Sequence, residues 1–210
     1  MEPFTVVTGI AAPMMMPNIN TDAITPMAAG RSTSVDLGKL MFANWRYTLE
    51  GAEIPEFVLN RSPFRQSKIL VAGPNFGCGS SRERAVWALM SFGIRCVIAP
   101  SFADIFRENS FQNGLLPVAI SEADCAALGA SLEHAREPVI SVDLRRCVVT
   151  ALDGREIAFT LPAERRSALL EGLAEIDVIL RMEADIDNFQ RADREARPWI
   201  YLDRNRTAPQ

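Results

Sequence analysis

Histidine is almost missing from this 210-residue chain, which has one, His134, and cysteine is sparse and scattered, at Cys78, Cys96, Cys125 and Cys147, with no Cys-x-x-Cys pair. The first shortage makes any Ser-His-Asp triad depend on one imidazole, and His134 falls on a predicted surface helix. The second leaves no ligand set for a zinc site, or for an iron–sulfur cluster held by this chain alone. Cys96, Cys125 and Cys147 read as small buried apolar residues; Cys78 stands apart because it lies in a glycine-rich turn. No apolar run reaches the roughly 18 residues of a membrane span, and the opening MEPFTVVTGIAAPMMMP has no basic start before an unbroken apolar core. The expectation is a cytoplasmic protein with no membrane partner. Positive charge is short as well. With 22 Lys and Arg against 26 Asp and Glu, a net charge of −4 and no long basic run, the chain is a poor candidate for nucleic-acid binding by phosphate neutralisation. A small anion site remains open.

What the chain does have is enough apolar material for a core: 48% of residues are hydrophobic and 23% charged, which fits one globular domain over 1–210 with residues 181–210 as a terminal helix and tail anchored by Trp199. From Lys68 onward the apolar pattern alternates in type. KILVAG, RCVIAP and LLPVAI read as short buried strands, separated by SSRERAVWALMSFG and SFADIFRENSFQNG, which read as helices. Such a β-α-β-α-β run predicts a parallel sheet with crossover helices, an α/β fold. EADCAALGASLEHA follows as a helix. VISVDL, CVVTAL and EIAFTL then add strands, the last two joined by a hairpin at Asp153-Gly154, before the helix AERRSALLEGLAEI. The first 65 residues, broken by Pro3, Pro13, Pro17, Pro26, Pro55 and Pro63, read as loops laid over this scaffold with short strands such as FTVVTGIAAP. The run Met14, Met15 and Met16 reads as packing material.

One stretch breaks local rules. NFGCGSSRERA, residues 75–85, follows a strand and opens a helix, the geometry in which backbone N–H groups face an anion. Gly77 and Gly79 permit close backbone approach around Cys78, so Gly77, Cys78 and Gly79 form a candidate anion-cradling turn. Ser80-x-x-Glu83 also fits a capping box, with Ser80 as N-cap, and that structural reading stands beside the functional one. Arg82 and Arg84 favour the functional one, since each cation in a first helical turn costs up to about 0.3–1 kcal/mol, and a bound carboxylate or phosphate reverses the sign. Arg82 can grip a carboxylate with two prongs; Arg84 reads as solvated. A dinucleotide fingerprint would need glycine where Arg82 stands, and a P-loop would need Gly-Lys-Ser/Thr.

NFGCGSSRE, followed by VIAPSFADIF and NSFQNGLLPV, resembles the small subunits of 3-isopropylmalate dehydratases (isopropylmalate isomerases), the separate-chain counterparts of the swivelling last domain of aconitases. NINTDAITP at 18–26, FANWRY at 42–47 and ERRSALLEGLAEIDVIL at 164–180 fit the same family in the same order, so the resemblance covers nearly the whole chain. It implies a swivelling β/β/α domain, a parallel core with added hairpin strands, that closes over a large subunit carrying a [4Fe–4S] cluster, this chain holding no metal itself. It implies a hydro-lyase, active only with that large subunit, that dehydrates and rehydrates a small 2-hydroxy acid, with 2- and 3-isopropylmalate of leucine biosynthesis foremost.

Carried over residue by residue, the resemblance makes Ser80 the base, Ser81 a neighbouring polar ligand and Arg82 the clamp on a substrate carboxylate. Asp22 and Thr25 match positions that approach the active site in aconitases, although Asp22 fits a turn former equally well. The family usually has Asp at Asn20, Ile at Thr25 and His at Arg84. After Pro26, where isopropylmalate-specific members place bulky apolar residues, this chain reads MAAGRSTS. Arg31 there is either an exposed loop residue or a partner for an additional substrate carboxylate. The same chemistry on citramalate/citraconate, another alkylmalate, or a homocitrate- or citrate-type acid is therefore the alternative, and a non-catalytic anion-binding module of this fold is a second. A stand-alone serine hydrolase fits poorly: a phosphonylating probe should leave Ser80 unlabelled by intact mass, and stoichiometric labelling would reverse that.

Overall fold

Four short strands run parallel: β1 (Val6–Met14), β2 (Ile69–Ala72), β3 (Cys96–Ala99) and β4 (Leu116–Ala119). Three more, β5 (Val139–Asp143), β6 (Val148–Thr150) and β7 (Glu156–Ala158), continue the sheet antiparallel, in the order β4-β3-β2-β1-β5-β6-β7. The structure, a computed structural model, describes residues 1–26 and 36–201. Its chain divides into two units, Met1–Gly172 and Leu173–Gln210.

In the first unit the sheet is covered on both faces, which is why β2 and β3 are apolar at every position. Strand alternation sends Ile69, Val71, Cys96 and Ile98 into one core, with Leu128 and the antiparallel-strand residues Ile140, Val142 and Val149. Leu70, Ala72, Val97 and Ala99 enter the other, with Ile19, Ile24, Phe76, Leu89 and Phe106. The helices are α1 (Thr21–Ile24), α2 (Leu37–Leu40), α3 (Ala43–Arg46), α4 (Arg84–Phe92), α5 (Asp104–Asn113), α6 (Glu122–Glu133) and α7 (Ala163–Glu171). Helix α6 starts at a Ser121 N-cap accepting from Asp124 N–H at 3.0 Å. His134 follows its last residue and is exposed. At the predicted hairpin, β6 and β7 turn through Gly154 at φ +83°.

The strand read in FTVVTGIAAP is β1, and it lies inside the sheet rather than over it. β1 joins the two halves of the sheet: Val6–Ile10 pair with β5, and Ala11–Met14 pair with β2. Pro13 is tolerated because β1 there has a ladder partner on one side only, a local edge. The methionine run is split, since Met14 ends the strand buried while Met15 and Met16 are exposed beyond it. Cys96 and Cys125 are buried as expected; Cys147 is half-buried, at a turn with φ +55°. The helix expected over 163–176 is interrupted at Gly172, whose φ of +71° ends α7.

The second unit contains α8 (Glu175–Leu180) and α9 (Glu183–Ala196), and within it Tyr201 donates to Asp193 Oδ2 at 2.7 Å. Among the described residues no helix is long and apolar enough to cross a membrane.

A central β1 makes its two alanines sensitive. Ala11 and Ala12 are fully buried on opposite faces, so Ala12→Leu overfills a closed core and should cost about 1–3 kcal/mol in denaturant unfolding. A change below about 0.5 kcal/mol, ordinary for surface sites, would return this segment to the overlying loops.

Candidate functional site: two strand-end loops stitched together

β1 and β2 are neighbours and run parallel, so the loops leaving their C-terminal ends, 15–20 and 73–83, emerge side by side, the usual place for a ligand crevice in such sheets. They are stitched by backbone bonds: Asn18 N–H to Pro74 O at 2.9 Å, Gly77 N–H to Ile19 O at 2.7 Å and Thr21 N–H to Cys78 O at 2.8 Å. Asn75 Nδ2 adds a bond to Asn18 Oδ1 at 2.8 Å. The loop after β3 closes the other flank, with Phe76 N–H on Ser101 O at 3.1 Å and Ala103 N–H on Phe76 O at 3.0 Å.

Glycine is required at the centre of this turn. Gly77 has φ +78°, and a Cβ there would lie 2.2 Å from Phe106 Cγ. The turn rests on an aromatic trio, with the Phe76 and Phe106 rings 5.3 Å apart and Phe102 against both. Gly79, at φ +102°, passes Asn20 closely, a Cβ lying 3.3 Å from Asn20 Cβ. Cys78 between them is a free, half-buried thiol whose carbonyl joins the stitch.

Ser80 and its neighbours take a different local structure from a capping box. Helix α4 begins at Arg84, with Glu83 in the N-cap position and no side-chain cap bond. Ser80 Oγ is instead 2.7 Å from Thr21 Oγ1, and Glu83 Oε1 accepts from Asn113 Nδ2 at 2.7 Å. Both members of the expected reciprocal pair are held by residues distant in sequence, so the helix cannot extend back to Ser80. Arg82 accordingly lies before the helix, outside the unfavourable end of its dipole, and only Arg84 falls in the first turn. Arg82 pairs with Asp22 Oδ1, both side chains partly exposed. Among the described residues no acceptor is found for the backbone N–H groups of Ser80, Ser81, Arg82 and Glu83. The arrangement offers a hydroxyl, a guanidinium and a row of open N–H donors to one anionic group.

Of the other sequence candidates, Ser81 is exposed and its carbonyl accepts from Asn109 Nδ2 at 3.4 Å. Thr25 is buried, its Oγ1 without a partner among the described residues. Arg31 lies outside the described residues, with the whole MAAGRSTS segment. Sequence reasoning gave no role to Thr21, which is buried and bonded to Ser80, or to Asn113. It also treated Asn20 as a departure, although Asn20 caps α1 by accepting from Ala23 N–H at 2.7 Å, a capping signal that Asn followed by a short helix does carry.

Among the described residues no three His, Cys, Asp or Glu side chains gather as a metal site. Burial pushes the Cys96 thiol well above its ordinary range and the Cys125 thiol up to about 11, so both stay protonated and are poor thiolate ligands.

The family model for the aconitase C-terminal domain matches residues 1–123. The 3-isopropylmalate dehydratase small subunit of Gluconacetobacter diazotrophicus is 49% identical over 200 residues, covering 95% of this chain and 97% of its own. That of Paramagnetospirillum magneticum is 46% identical over 201 residues, covering 95% and 100%. A solved 3-isopropylmalate dehydratase structure from Methanocaldococcus jannaschii is 25% identical and superposes with a TM-score of 0.62 over 87% of this chain and 98% of that one.

The close approach at Gly77 gives a direct check. Gly77→Ala combines a positive φ with a clash against a packed ring, so it should lower unfolding free energy by about 2–4 kcal/mol. Full stability in calorimetry would mean that the turn does not rest on Phe106.

Proposed function

The chain belongs to the aconitase C-terminal-domain family, among the 3-isopropylmalate dehydratase small subunits, and from that premise we propose that it serves a heteromeric hydro-lyase that interconverts 2- and 3-isopropylmalate in leucine biosynthesis in the cytoplasm. The observation that carries the reading is the conjunction in one turn of Ser80, bonded to Thr21, and Arg82, bonded to Asp22, beside N–H groups with no acceptor among the described residues.

In this reading Arg82 leaves Asp22 for a substrate carboxylate, the open N–H groups share its charge, and Ser80 removes the proton beside that carboxylate during dehydration and returns one on rehydration. The difficulty is the acidity of an alcohol. A helix N-terminus contributes at most about 2 kcal/mol, roughly 1.5 pKa units, and only within its first turn, whereas α4 begins four positions beyond Ser80. Other help is needed. The Thr21 hydroxyl donates to Ser80 Oγ when that oxygen is deprotonated, the neighbouring N–H groups and Arg82 add positive potential, and closure against a large subunit excludes water and strengthens all three. A [4Fe–4S] cluster on the large subunit supplies, when bound, the Lewis acid that the departing hydroxyl requires. The isolated chain is therefore inert.

The test is reconstitution. Purified chain mixed with a cluster-loaded large subunit should turn over isopropylmalate, followed by absorbance of the unsaturated acid, and Ser80→Ala should lower kcat by about 10²–10⁴-fold, the usual worth of a general base. Preference for citramalate or a tricarboxylate would reassign the acid, and no turnover of any malate-type acid with an intact partner would overturn the reading.

A further inference from the structure

We propose that Asn113 is a positioning residue for the substrate carboxylate, acting by holding the Glu83 carboxylate out of the anion cradle. The inference deepens the function proposed above and rests on the cradle receiving a carboxylate from the substrate.

The motivating conflict is electrostatic. Glu83 holds the N-cap position of α4, three positions after Ser80, so its carboxylate is carried on the same turn as the cradle. Among the described residues the backbone N–H groups of Ser80, Ser81 and Arg82 have no acceptor, and each is a donor that a carboxylate can use. Glu83 is thus a competitor, tethered in the chain, for the donors that a substrate carboxylate needs. A group on the same turn has a high effective concentration, so it would fill the cradle before any millimolar acid from solution.

Asn113 prevents this with both of its side-chain donors and its amide oxygen. Its Nδ2 donates to Glu83 Oε1 at 2.7 Å and to Asn109 O at 2.8 Å, and its Oδ1 accepts from Trp87 Nε1 at 2.9 Å. Asparagine suits the position because one amide supplies donors to the carboxylate and the helix carbonyl and an acceptor for the indole at once. The amide sits at the last position of α5, anchored on its own helix through Asn109. Asn109 Nδ2 in turn reaches Ser81 O, so the end of α5 holds the catalytic turn at two points.

The test uses the reconstituted enzyme and three variants. Asn113→Ala should raise KM for the hydroxy acid about tenfold with kcat within about twofold of wild type, the signature of lost binding rather than lost chemistry. Removing the competing charge as well, in Asn113→Ala/Glu83→Gln, should return KM to within about threefold of that of Glu83→Gln alone. A merely structural Asn113 predicts the opposite: both Asn113 variants equally impaired and equally destabilised. The inference is overturned by a KM that does not rise in Asn113→Ala, or by a rise that persists in the double variant. A crystal structure of the Asn113→Ala chain gives a readout independent of the reaction. The Glu83 carboxylate should be found on the N–H groups of residues 80–82, and a Glu83 still directed toward position 113 sinks the inference. An inactive wild-type enzyme would overturn the assigned reaction instead, and the position of Glu83 would still decide this one.

Discussion

The backbone stitch between the loops after β1 and β2 is the constraint on which the rest of the site depends. Three N–H···O bonds, from Asn18, Gly77 and Thr21, lock residues 18–21 against residues 74–78. They set the height at which Thr21 meets Ser80 and Asp22 meets Arg82. The stitch brings the two loops close at Gly79, whose Cβ would lie 3.3 Å from Asn20 Cβ, while Gly77 turns over the Phe106 ring, and both take the left-handed region that glycine tolerates. It also requires a firm floor, which Phe76, Phe102 and Phe106 provide from the core they share with Leu70 and Val97. Without the parallel pairing of β1 with β2 the loops would not emerge together, and neither hydroxyl nor guanidinium would have its partner.

The same stitch sets the start of α4. A serine three residues before a glutamate at a helix start is a local recipe for a reciprocal cap, and here tertiary partners override it: Thr21 takes the serine hydroxyl and Asn113 the glutamate carboxylate. The helix loses its local cap and gains an open N-terminal approach. Leaving exposed N–H groups uncapped costs stability, typically about 1 kcal/mol for a missing N-cap, and local rules of this kind are broken where a site needs the groups for something else. The apparent misplacement of two arginines is also half resolved, because Arg82 precedes the helix and only Arg84 opens it.

The parallel core from Lys68 to Ala119 was legible because the hydrophobic period changes there from strand to helix and back, and because buried strands leave continuous apolar runs. The hairpin at Asp153-Gly154 was legible for a local reason, the backbone preference of its turn. β1 was legible as a strand in FTVVTGIAAP, but not as the strand that joins the two halves of the sheet, because two different partners impose two patterns on it. Its first half is partly exposed against β5 and its second half is buried beside β2, so neither period persists and Pro13 reads as a break. The glycine-serine-arginine turn could be found from its composition, and Arg82 with it, whereas the role expected of Ser80 came from the family resemblance. Their partners could not. Thr21 is 59 positions from Ser80 and Asn113 is 30 from Glu83, and no local pattern carries a contact across that distance.

The exposure of the Arg82–Asp22 pair explains why a half-site of this kind would wait for a second chain. With 29% and 57% of the two side chains exposed, the pair is hydrated and screened, so Asp22 holds the guanidinium in place without holding it tightly. A substrate carboxylate faces the same water and gains little by replacing Asp22 while the turn is open. Covering the turn changes the balance. Once water is excluded, the guanidinium, the open N–H groups and the Ser80–Thr21 pair act in a lower dielectric, where each interaction with a carboxylate is several-fold stronger. On the proposed function, acid binding and subunit closure are then one linked equilibrium. By reciprocity the factor by which the partner tightens the acid is the factor by which the acid tightens the partner. The arrangement also reconciles a weakly acidic serine with its proposed work, because the only state in which Ser80 must lose its proton is the closed one, where Thr21 and the N–H groups bear on it without competition from solvent.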